Sequence, residues 1–398
     1  MVKKYSLFKF PLIINNINNI NNSGGAKNTK SRLTENTIDT LNKTINKQQF
    51  LSELEFHCKH YPYTPAILSS VPRIIVMGDI HGDYKLAIHM FKLANLIKIN
   101  KDGTIKWIGR NTVVVQVGDQ IDRCRPVGAM TCENPNTTYN DEASDIKILK
   151  LFTDLDIQSR LEGGKVISLF GNHELMNSMG QLSYVSYEGI QEFNKYKDKK
   201  NPNKTFQSPL EARKYAFSPG NEIGKFLGCT RLPAVIIGNN LFVHAGMINS
   251  IIKYLNINEK SDLETINMAV KKWLLGLLNE TSVDKIIESS KNSMFWTRVL
   301  GSLPPNINMN DTVCSSYINN VLTIFKIDNI IIGHTPQSFL YSDGINSTCS
   351  NKIWRVDNGS SSAFNNFDQQ LLNNGHTSHS RRPQVLEILN DTEFKVLG

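Results

Sequence analysis

The amino-acid sequence predicts an α/β (α+β) protein in which two mixed β-sheets form a sandwich flanked by helices. Three features of the chain lead to this prediction. Short apolar runs typical of buried strands recur between residues 73 and 332, and segments with helical apolar spacing lie between them. Further β segments follow late, over 353–356 and 384–396. Strands that alternate with helices and are then followed by more strands favour two packed sheets over a single doubly wound sheet.

The segments between the apolar runs predict the remaining elements. The spacing predicts helices over 83–97, 144–160 and 310–325, each with one apolar face. Residues 101–110 are predicted to form a small hairpin with Asp102 and Gly103 at its turn. The Pro-, Thr- and Asn-rich stretch 124–143 predicts a long loop, and 251–290 is expected to be helical.

The chain divides into three expected segments. Residues 1–32 are Asn-rich and too poor in apolar side chains to build a core, so we expect a disordered tail. Helically spaced apolar residues over 33–71 predict an N-terminal helical extension. Residues 72–398 are predicted to form one main domain, with insertions near 124–143 and 250–290.

The composition argues against several classes of protein. Of the 398 residues, 40% are hydrophobic and 20% are charged, which is typical of a globular protein with a large core. The net charge of +8 is spread over short basic pairs rather than long blocks, so we expect no dedicated nucleic-acid-binding role. No apolar run reaches the roughly 18 residues of a membrane span. The N-terminal apolar patch is interrupted by Pro11 and lacks the cleavage site of a signal peptide.

The six cysteines predict neither a zinc site nor a disulfide framework. None of them has CxxC spacing, and six are few for a chain of this length. We therefore expect a reducing compartment and a cytoplasmic location. The alternative is that Cys124 and Cys132, which lie in one loop, pair under oxidation.

Five apolar runs are each followed, just past their end, by an Asp, Asn or His. The runs are residues 73–76, 112–117, 166–170, 240–243 and 329–332, and the side chains that follow them are Asp79, His81, Asp119, Asn172, His173, His244 and His334. In open α/β sheets, ligands bind beyond the carboxyl ends of the strands. One such Asp could simply cap a helix, but caps do not require histidines and an asparagine at several strand ends.

Six of these side chains form a metal-ligand set: Asp79, His81, Asp119, Asn172, His244 and His334. Oxygen donors mixed with imidazoles suit Mn, Fe or Zn. Six protein ligands are too many for one catalytic metal with an open position, but they suit two metals that share a carboxylate, for which Asp119 is the natural bridge. Two such ions clamp a phosphoryl group and acidify a bridging water.

Two further tasks remain in such chemistry. Arginine suits the phosphoryl oxygens because its planar fork donates two hydrogen bonds, and the candidates are Arg123, Arg298 and Arg231. The leaving oxygen needs a proton, and His173 is free for this because it is not needed as a ligand. Asp122 is placed to fix the tautomer of His173.

Five sequence blocks occur in the order GDIHG, GDQIDR, GNHE, HAG and GHT. Together they resemble the calcineurin-type metallophosphoesterases, specifically the phosphoprotein phosphatase family, over about residues 73–357. Cys124 and Phe170 stand where the eukaryotic serine/threonine phosphatases have Gly and Arg. By contrast, GNHELMNSMGQLSYVS and the Trp-x-Arg around Arg298 are similar to the Shewanella-like protein phosphatases. The resemblance implies the metallophosphoesterase fold.

The resemblance also implies roles for individual residues. One ion would be held by Asp79, His81 and Asp119, and the other by Asp119, Asn172, His244 and His334. His173 would be the general acid, oriented by Asp122. The phosphate would be bound by Arg123, with Arg298 and Asn172 beside it.

The activity implied is that of a dimetal-dependent phosphatase. It would hydrolyse phosphomonoesters of a phosphorylated protein, on Ser/Thr or Tyr, by attack of a metal-bridging hydroxide, with Mn the most expected metal and Fe or Zn as alternatives. Two other functions stay open. One is a dinucleotide polyphosphate hydrolase of the diadenosine-tetraphosphatase type, and the other is an inactive phosphoprotein-binding scaffold. The sequence does not indicate the oligomeric state.

Overall fold

A computed structural model describes residues 37–340, 344–368 and 381–398. The tail predicted over 1–32 lies outside the described residues. The strands are β1 (Ile67–Leu68), β2 (Arg73–Met77), β3 (Ile97–Ile99), β4 (Ile105–Trp107), β5 (Val113–Gln116), β6 (Lys165–Leu169), β7 (Arg231–Leu232), β8 (Ala234–Ile237), β9 (Asn240–Val243), β10 (Asn329–Ile332), β11 (Asn346–Thr348), β12 (Ile353–Arg355), β13 (Val385–Leu389) and β14 (Glu393–Leu397).

Helices connect most of these strands. They are α1 (Thr37–Thr44), α2 (Lys47–Cys58), α3 (Tyr84–Leu93), α4 (Asp145–Arg160), α5 (Asn172–Ser178), α6 (Tyr187–Gln191), α7 (Pro209–Phe217), α8 (Glu222–Thr230), α9 (Asn249–Leu255), α10 (Asp262–Leu274), α11 (Asp284–Ile287) and α12 (Thr312–Phe325). Within the described ranges, no helix is both long and apolar enough to span a bilayer.

The strands form two six-stranded mixed sheets. The first has the order β14-β13-β2-β5-β6-β7, and its strands β2, β5, β6 and β7 are parallel. The second has the order β1-β8-β9-β10-β12-β11, and its strands β9, β10 and β12 are parallel. The predicted fold of two mixed sheets flanked by helices is confirmed. The predicted hairpin is also present, but it spans Ile97–Trp107 rather than 101–110, and it forms a separate two-stranded sheet.

The alternation of side chains along each strand produces four layers. In β2, Ile74 and Val76 lie in the core between the two sheets, together with Phe242 of β9. The intervening residues Ile75 and Met77 face the opposite side, where they join the core formed with α3 and α4. The outer face of the second sheet is covered by α9, α10 and α12 in a third core. The order of layers is therefore helices, sheet, sheet, helices.

The segment predicted as an N-terminal helical extension is part of this architecture. Helices α1 and α2 contribute Ile38, Leu41, Phe50 and Leu54 to the same core as α10. Strand β1 follows them and pairs in parallel with β8 at the edge of the second sheet. The segment 251–290 is largely helical, as expected, and α10 packs into the main core.

The prediction that the cysteines form no disulfide framework is wrong. All six cysteines pair, as Cys58–Cys229, Cys124–Cys132 and Cys314–Cys349. The loop pairing considered as the alternative is among them. The prediction failed because it used only the number and local spacing of the cysteines. Cys58 and Cys229 are 171 residues apart and come together only because α2 packs against α8.

We predict that the double variant Cys58→Ala/Cys229→Ala loses about 2–5 kcal/mol of unfolding free energy, because this disulfide restricts a long loop in the unfolded chain. Guanidinium unfolding measures the loss. The matched control is Cys124→Ala/Cys132→Ala, which removes a disulfide between cysteines only 8 residues apart. Its loss of unfolding free energy should be about 2–3 kcal/mol smaller than that of the first variant. Equal stability of wild type and the first variant would contradict the prediction.

Candidate metal centre

Buried ligand side chains from both sheets meet at the carboxyl ends of the parallel strands. One group consists of His81, Asp119 and His173, and a second consists of Asp119, His244 and His334. Within each group the ligand atoms lie within 4.8 Å of one another, and all five residues are buried. Asp119 therefore belongs to both groups, as expected of a residue that bridges two ions.

The other two predicted ligands lie at the same place. Asn172 Oδ1 is 2.9 Å from His244 Nε2, and Asp79 Oδ2 is 3.8 Å from His81 Nε2. The backbone N–H of His334 donates to both carboxylate oxygens of Asp79, at 3.2 and 3.1 Å. The structure thus brings all six predicted ligands together.

The backbone at the cluster adopts uncommon conformations. His81, Asp119, Asp122 and His334 have φ values of 46°, 55°, 71° and 66°, in the left-handed region that non-glycine residues seldom occupy. Such conformations cost free energy and persist only where the surrounding structure holds them. Four of them in one site indicate that the positions of these side chains take precedence over local backbone preference.

The motif glycine Gly171 is required by close packing. A Cβ atom at this position would lie 2.2 Å from Asp119 Oδ1 and 2.3 Å from the Asp119 backbone nitrogen. Any side chain would therefore push Asp119 out of the cluster. This explains why a glycine stands between the end of β6 at Leu169 and the predicted ligand Asn172.

The carboxylate of Glu174 holds the two loops that meet at Asp119. Its Oε2 accepts from the N–H groups of Gly171 (2.8 Å) and Asp119 (3.0 Å), and its Oε1 accepts from the N–H of Gln120 (2.7 Å). The side chain is fully buried. Glu174 therefore fixes the ends of β5 and β6 relative to each other and does not itself face a substrate.

The electrostatics of the cluster favour bound cations. Burial lowers the pKa values of His81 and His334 well below the usual range, helped by the charges of Arg125 and Arg298 respectively. Both imidazoles are therefore neutral, which is the form that binds metals. Burial, with the charges of Asp357 and Asp119, raises the pKa of Asp79 well above its usual range.

Asp119 differs from Asp79, because burial raises its pKa but His244 and His173 outweigh this effect and hold the pKa well below its usual range. Asp357, beyond β12, keeps a buried Oδ2 that accepts no hydrogen bond from any part of the chain that the structure describes. Buried carboxylates crowded in this way are costly unless cations neutralise them. The donor set of carboxylate, amide and imidazole groups fits two divalent ions.

The predicted pair of His173 and Asp122 is present, with Nδ1 of the imidazole 2.8 Å from Asp122 Oδ2. The other oxygen of Asp122 accepts from Asn177 Nδ2 at 2.9 Å. Asn177 in turn accepts from Nε of the buried Arg213, whose Nη2 donates to Asp145 Oδ2 at 2.7 Å. The orientation of His173 is thus fixed by a buried polar network, and its Nε2 lies 3.9 Å from Asp119.

Of the three candidate phosphate arginines, the structure brings Arg298 to the cluster, where its Nη1 donates to the carbonyl of His334 at 2.8 Å. Arg123 lies elsewhere, and its guanidinium donates to the carbonyls of Gly82 (3.2 Å) and Asn140 (3.3 Å). Arg231 is buried behind the site and donates to Gln120 Oε1. The motif arginine of the GDQIDR block therefore does not face the ligand cluster.

Three further residues contact the cluster, and two of them, Arg125 and Phe364, lie outside the motifs that the sequence revealed, whereas Tyr184 lies within the GNHELMNSMGQLSYVS stretch. The Tyr184 ring centroid is 5.1 Å from that of His173, and the Phe364 centroid is 5.4 Å from that of His81. The guanidinium carbon of Arg125 lies over both aromatic rings, 5.5 Å from Tyr184 and 4.8 Å from Phe364. The pattern of strand ends could not reveal them because none directly follows a strand.

Comparison with known proteins identifies the family. Residues 72–338, more than half of the chain, match the calcineurin-like phosphoesterase family. The chain belongs to this family. It is accordingly a phosphoester hydrolase with a metal-binding site, and the expected membership of the calcineurin-type metallophosphoesterases is confirmed.

Several relatives are similar along much of the chain. Shewanella-like protein phosphatase 2 of Arabidopsis thaliana is 27% identical over 353 residues, which cover 82% of this chain and 77% of the relative. Shewanella-like protein phosphatase 1 of Plasmodium berghei is 26% identical, covering 76% and 70%. An uncharacterized protein of Acanthamoeba polyphaga mimivirus is 37% identical, covering 59% of this chain and 92% of its own length.

A solved structure shares the fold. The cold-active protein-tyrosine phosphatase of a psychrophilic Shewanella species superposes with a TM-score of 0.55 at 19% identity, covering 84% of this chain and 83% of that one. At this identity the likeness supports the arrangement of the two sheets.

We predict that Glu174→Gln lowers the unfolding free energy by about 2–4 kcal/mol, because an amide offers one acceptor oxygen and leaves buried N–H groups unpaired. Chemical denaturation of the metal-free protein measures this loss. The control is Glu188→Gln at an exposed position, which should stay within about 0.5 kcal/mol of wild type. If both variants are as stable as wild type, the role assigned to Glu174 is incorrect.

Proposed function

We propose that this chain is a metal-dependent phosphoprotein phosphatase that hydrolyses phosphomonoesters on Ser/Thr or Tyr. The observation that carries the proposal is the buried cluster in which two ligand groups share Asp119, directly beside the His173–Asp122 pair. The similarity to two Shewanella-like protein phosphatases over most of the chain supports a phosphorylated protein as substrate.

The ligands divide between two sites. Asp79, His81 and Asp119 would hold one ion, and Asp119, Asn172, His244 and His334 would hold the other. When bound, two divalent ions supply positive charge for the phosphoryl oxygens and make water more acidic. Mn, Fe and Zn all suit these donor types. Manganese is the first metal to test, and Fe and Zn are the alternatives.

The chain's own residues carry out the remaining steps. Arg298 contributes a guanidinium for the phosphoryl oxygens, with the Asn172 amide close to them. As the oxygen of water bonds to phosphorus, the bond from phosphorus to the ester oxygen breaks. His173 donates the proton on Nε2 to that leaving oxygen, while Asp122 keeps the proton on Nδ1 in place.

The cytoplasmic location remains a prediction from the sequence. The three disulfides argue against it, because disulfides persist mainly in oxidising compartments.

We predict that chelation abolishes hydrolysis of 4-nitrophenyl phosphate and that added manganese restores it in wild type. Asp119→Asn should remain at least about a thousandfold slower, since it removes a ligand from both sites. Metal content and circular dichroism of both proteins provide the controls. Activity that survives chelation would refute the metal requirement. A folded, manganese-loaded wild type that prefers a dinucleotide polyphosphate to phosphopeptides would favour the alternative hydrolase, and one inactive on both would favour the scaffold.

A second prediction concerns the general acid. Asp122→Asn should slow hydrolysis of phenyl phosphate by about 10²–10⁴-fold, because an amide no longer holds His173 in the protonated orientation. Hydrolysis of 4-nitrophenyl phosphate should slow less, since its leaving group needs little protonation by an acid. The matched control is Asp102→Asn in the exposed hairpin turn. An equal loss on both substrates would rule out proton donation as the function of the pair.

A further inference from the structure

Five side chains form a closed circuit at one side of the ligand cluster. The imidazoles of His81 and His173 contact each other with centroids 4.8 Å apart. His173 contacts Tyr184, His81 contacts Phe364, and the Arg125 guanidinium bridges the two aromatic rings. Arg125 thus lies across from two histidines of the cluster, although it is outside the five sequence blocks.

We propose that Arg125, and not the motif arginine Arg123, is the second guanidinium that binds the substrate phosphoryl group together with Arg298. The inference rests on the proposed function, because it concerns the same site and the same substrate class, a phosphomonoester dianion.

The guanidinium of Arg125 is held in place with donors to spare. Its Nη1 donates to the carbonyls of Asp122 (3.1 Å) and Cys124 (2.8 Å). Over the described ranges of the chain, Nε and Nη2 make no hydrogen bond, and the side chain is only partly buried. A fixed, planar group with free donors is suited to binding two oxygens of one phosphoryl group.

The loop that carries Arg125 is fixed on both sides. The Cys124–Cys132 disulfide closes the loop that contains Arg125, and Cys124 is the residue directly before Arg125. The backbone N–H of Cys124 donates to the carbonyl of Tyr184 at 3.1 Å, which ties the loop to the residue that stacks on the guanidinium. The position of Arg125 is therefore built into the fold before any substrate binds.

Arg123, by contrast, is used elsewhere. It is buried, donates to two backbone carbonyls, and lies 3.6 Å from Asp83 and 3.8 Å from Glu142, in a separate pocket. Its charge is therefore neutralised away from the cluster. Binding phosphate at the cluster would require it to leave these partners.

The charges of the site are consistent with two arginines. Five carboxylates lie in or beside the cluster, those of Asp79, Asp119, Asp122, Glu174 and Asp357, so the four positive charges of two divalent ions would leave none over for a phosphoryl group. A phosphomonoester carries close to two negative charges at neutral pH. Arg125 and Arg298 supply two positive charges to match them.

The test is calorimetric binding of inorganic phosphate to the manganese-loaded protein. Arg125→Met should raise the Kd at least about tenfold, because a charge-assisted bidentate contact is lost. The Kd of Arg125→Lys for phosphate should lie between those of wild type and Arg125→Met, since lysine keeps the charge without the planar fork. Metal content should be unchanged in each variant. For 4-nitrophenyl phosphate, KM should rise together with a fall in kcat.

Two comparison variants make the result decisive. Arg110 is exposed and precedes β5, at the end of the strand opposite to the ligand cluster, so Arg110→Met should bind phosphate as wild type does. The Kd of Arg123→Met for phosphate should stay within about threefold of the wild-type value. Loss of binding in Arg123→Met with normal binding in Arg125→Met would overturn the inference. If Arg125→Met does not fold, normal phosphate affinity and normal KM in Arg125→Lys would overturn it. If metal-loaded wild type neither binds phosphate nor hydrolyses the ester, the proposed function fails first and the inference with it.

Discussion

The carboxylate of Asp119 is the interaction on which both halves of the site depend. Its Oδ2 lies 3.8 Å from His81, 3.9 Å from His173 and 3.3 Å from His244, so side chains from both sheets approach one oxygen. Its Oδ1 accepts from the backbone N–H of His173 at 2.9 Å. A buried carboxylate is costly without compensation, and these groups, with Glu174 behind the backbone, hold it in a left-handed conformation.

The packing of the two sheets makes this convergence possible. Each sheet contributes parallel strands, and the apolar core between them aligns the sheets so that the carboxyl ends meet at one edge. The first sheet supplies Asp79, His81, Asp119 and Asn172, and the second supplies His244 and His334. Neither sheet alone holds a complete set for two ions. The site therefore depends on the sandwich as a whole.

The sequence was sufficient to predict the sandwich and the side chains that meet at its edge. Each ligand follows an apolar strand directly, and parallel strands end at a common edge, so position along the chain translates into position in space. Arg125 could not be found in this way. The left-handed backbone at Asp122 turns the chain just before Arg123, and a residue two positions further on reaches the cluster instead. The Cys58–Cys229 disulfide was missed for a related reason, since it depends on how two distant helices pack.

The side chains that orient His173 include several that lie outside the five sequence blocks. Asp122 is buried beside Arg213, which is itself fully buried and needs a counter-charge. Asp145 provides it, although burial raises the pKa of Asp145 to about 6 against the lowering effect of Arg213. Removing either partner would leave a buried charge unpaired, which is strongly destabilising. The same ion pair that satisfies Arg213 thus fixes Asn177 and Asp122, and through them the imidazole of His173.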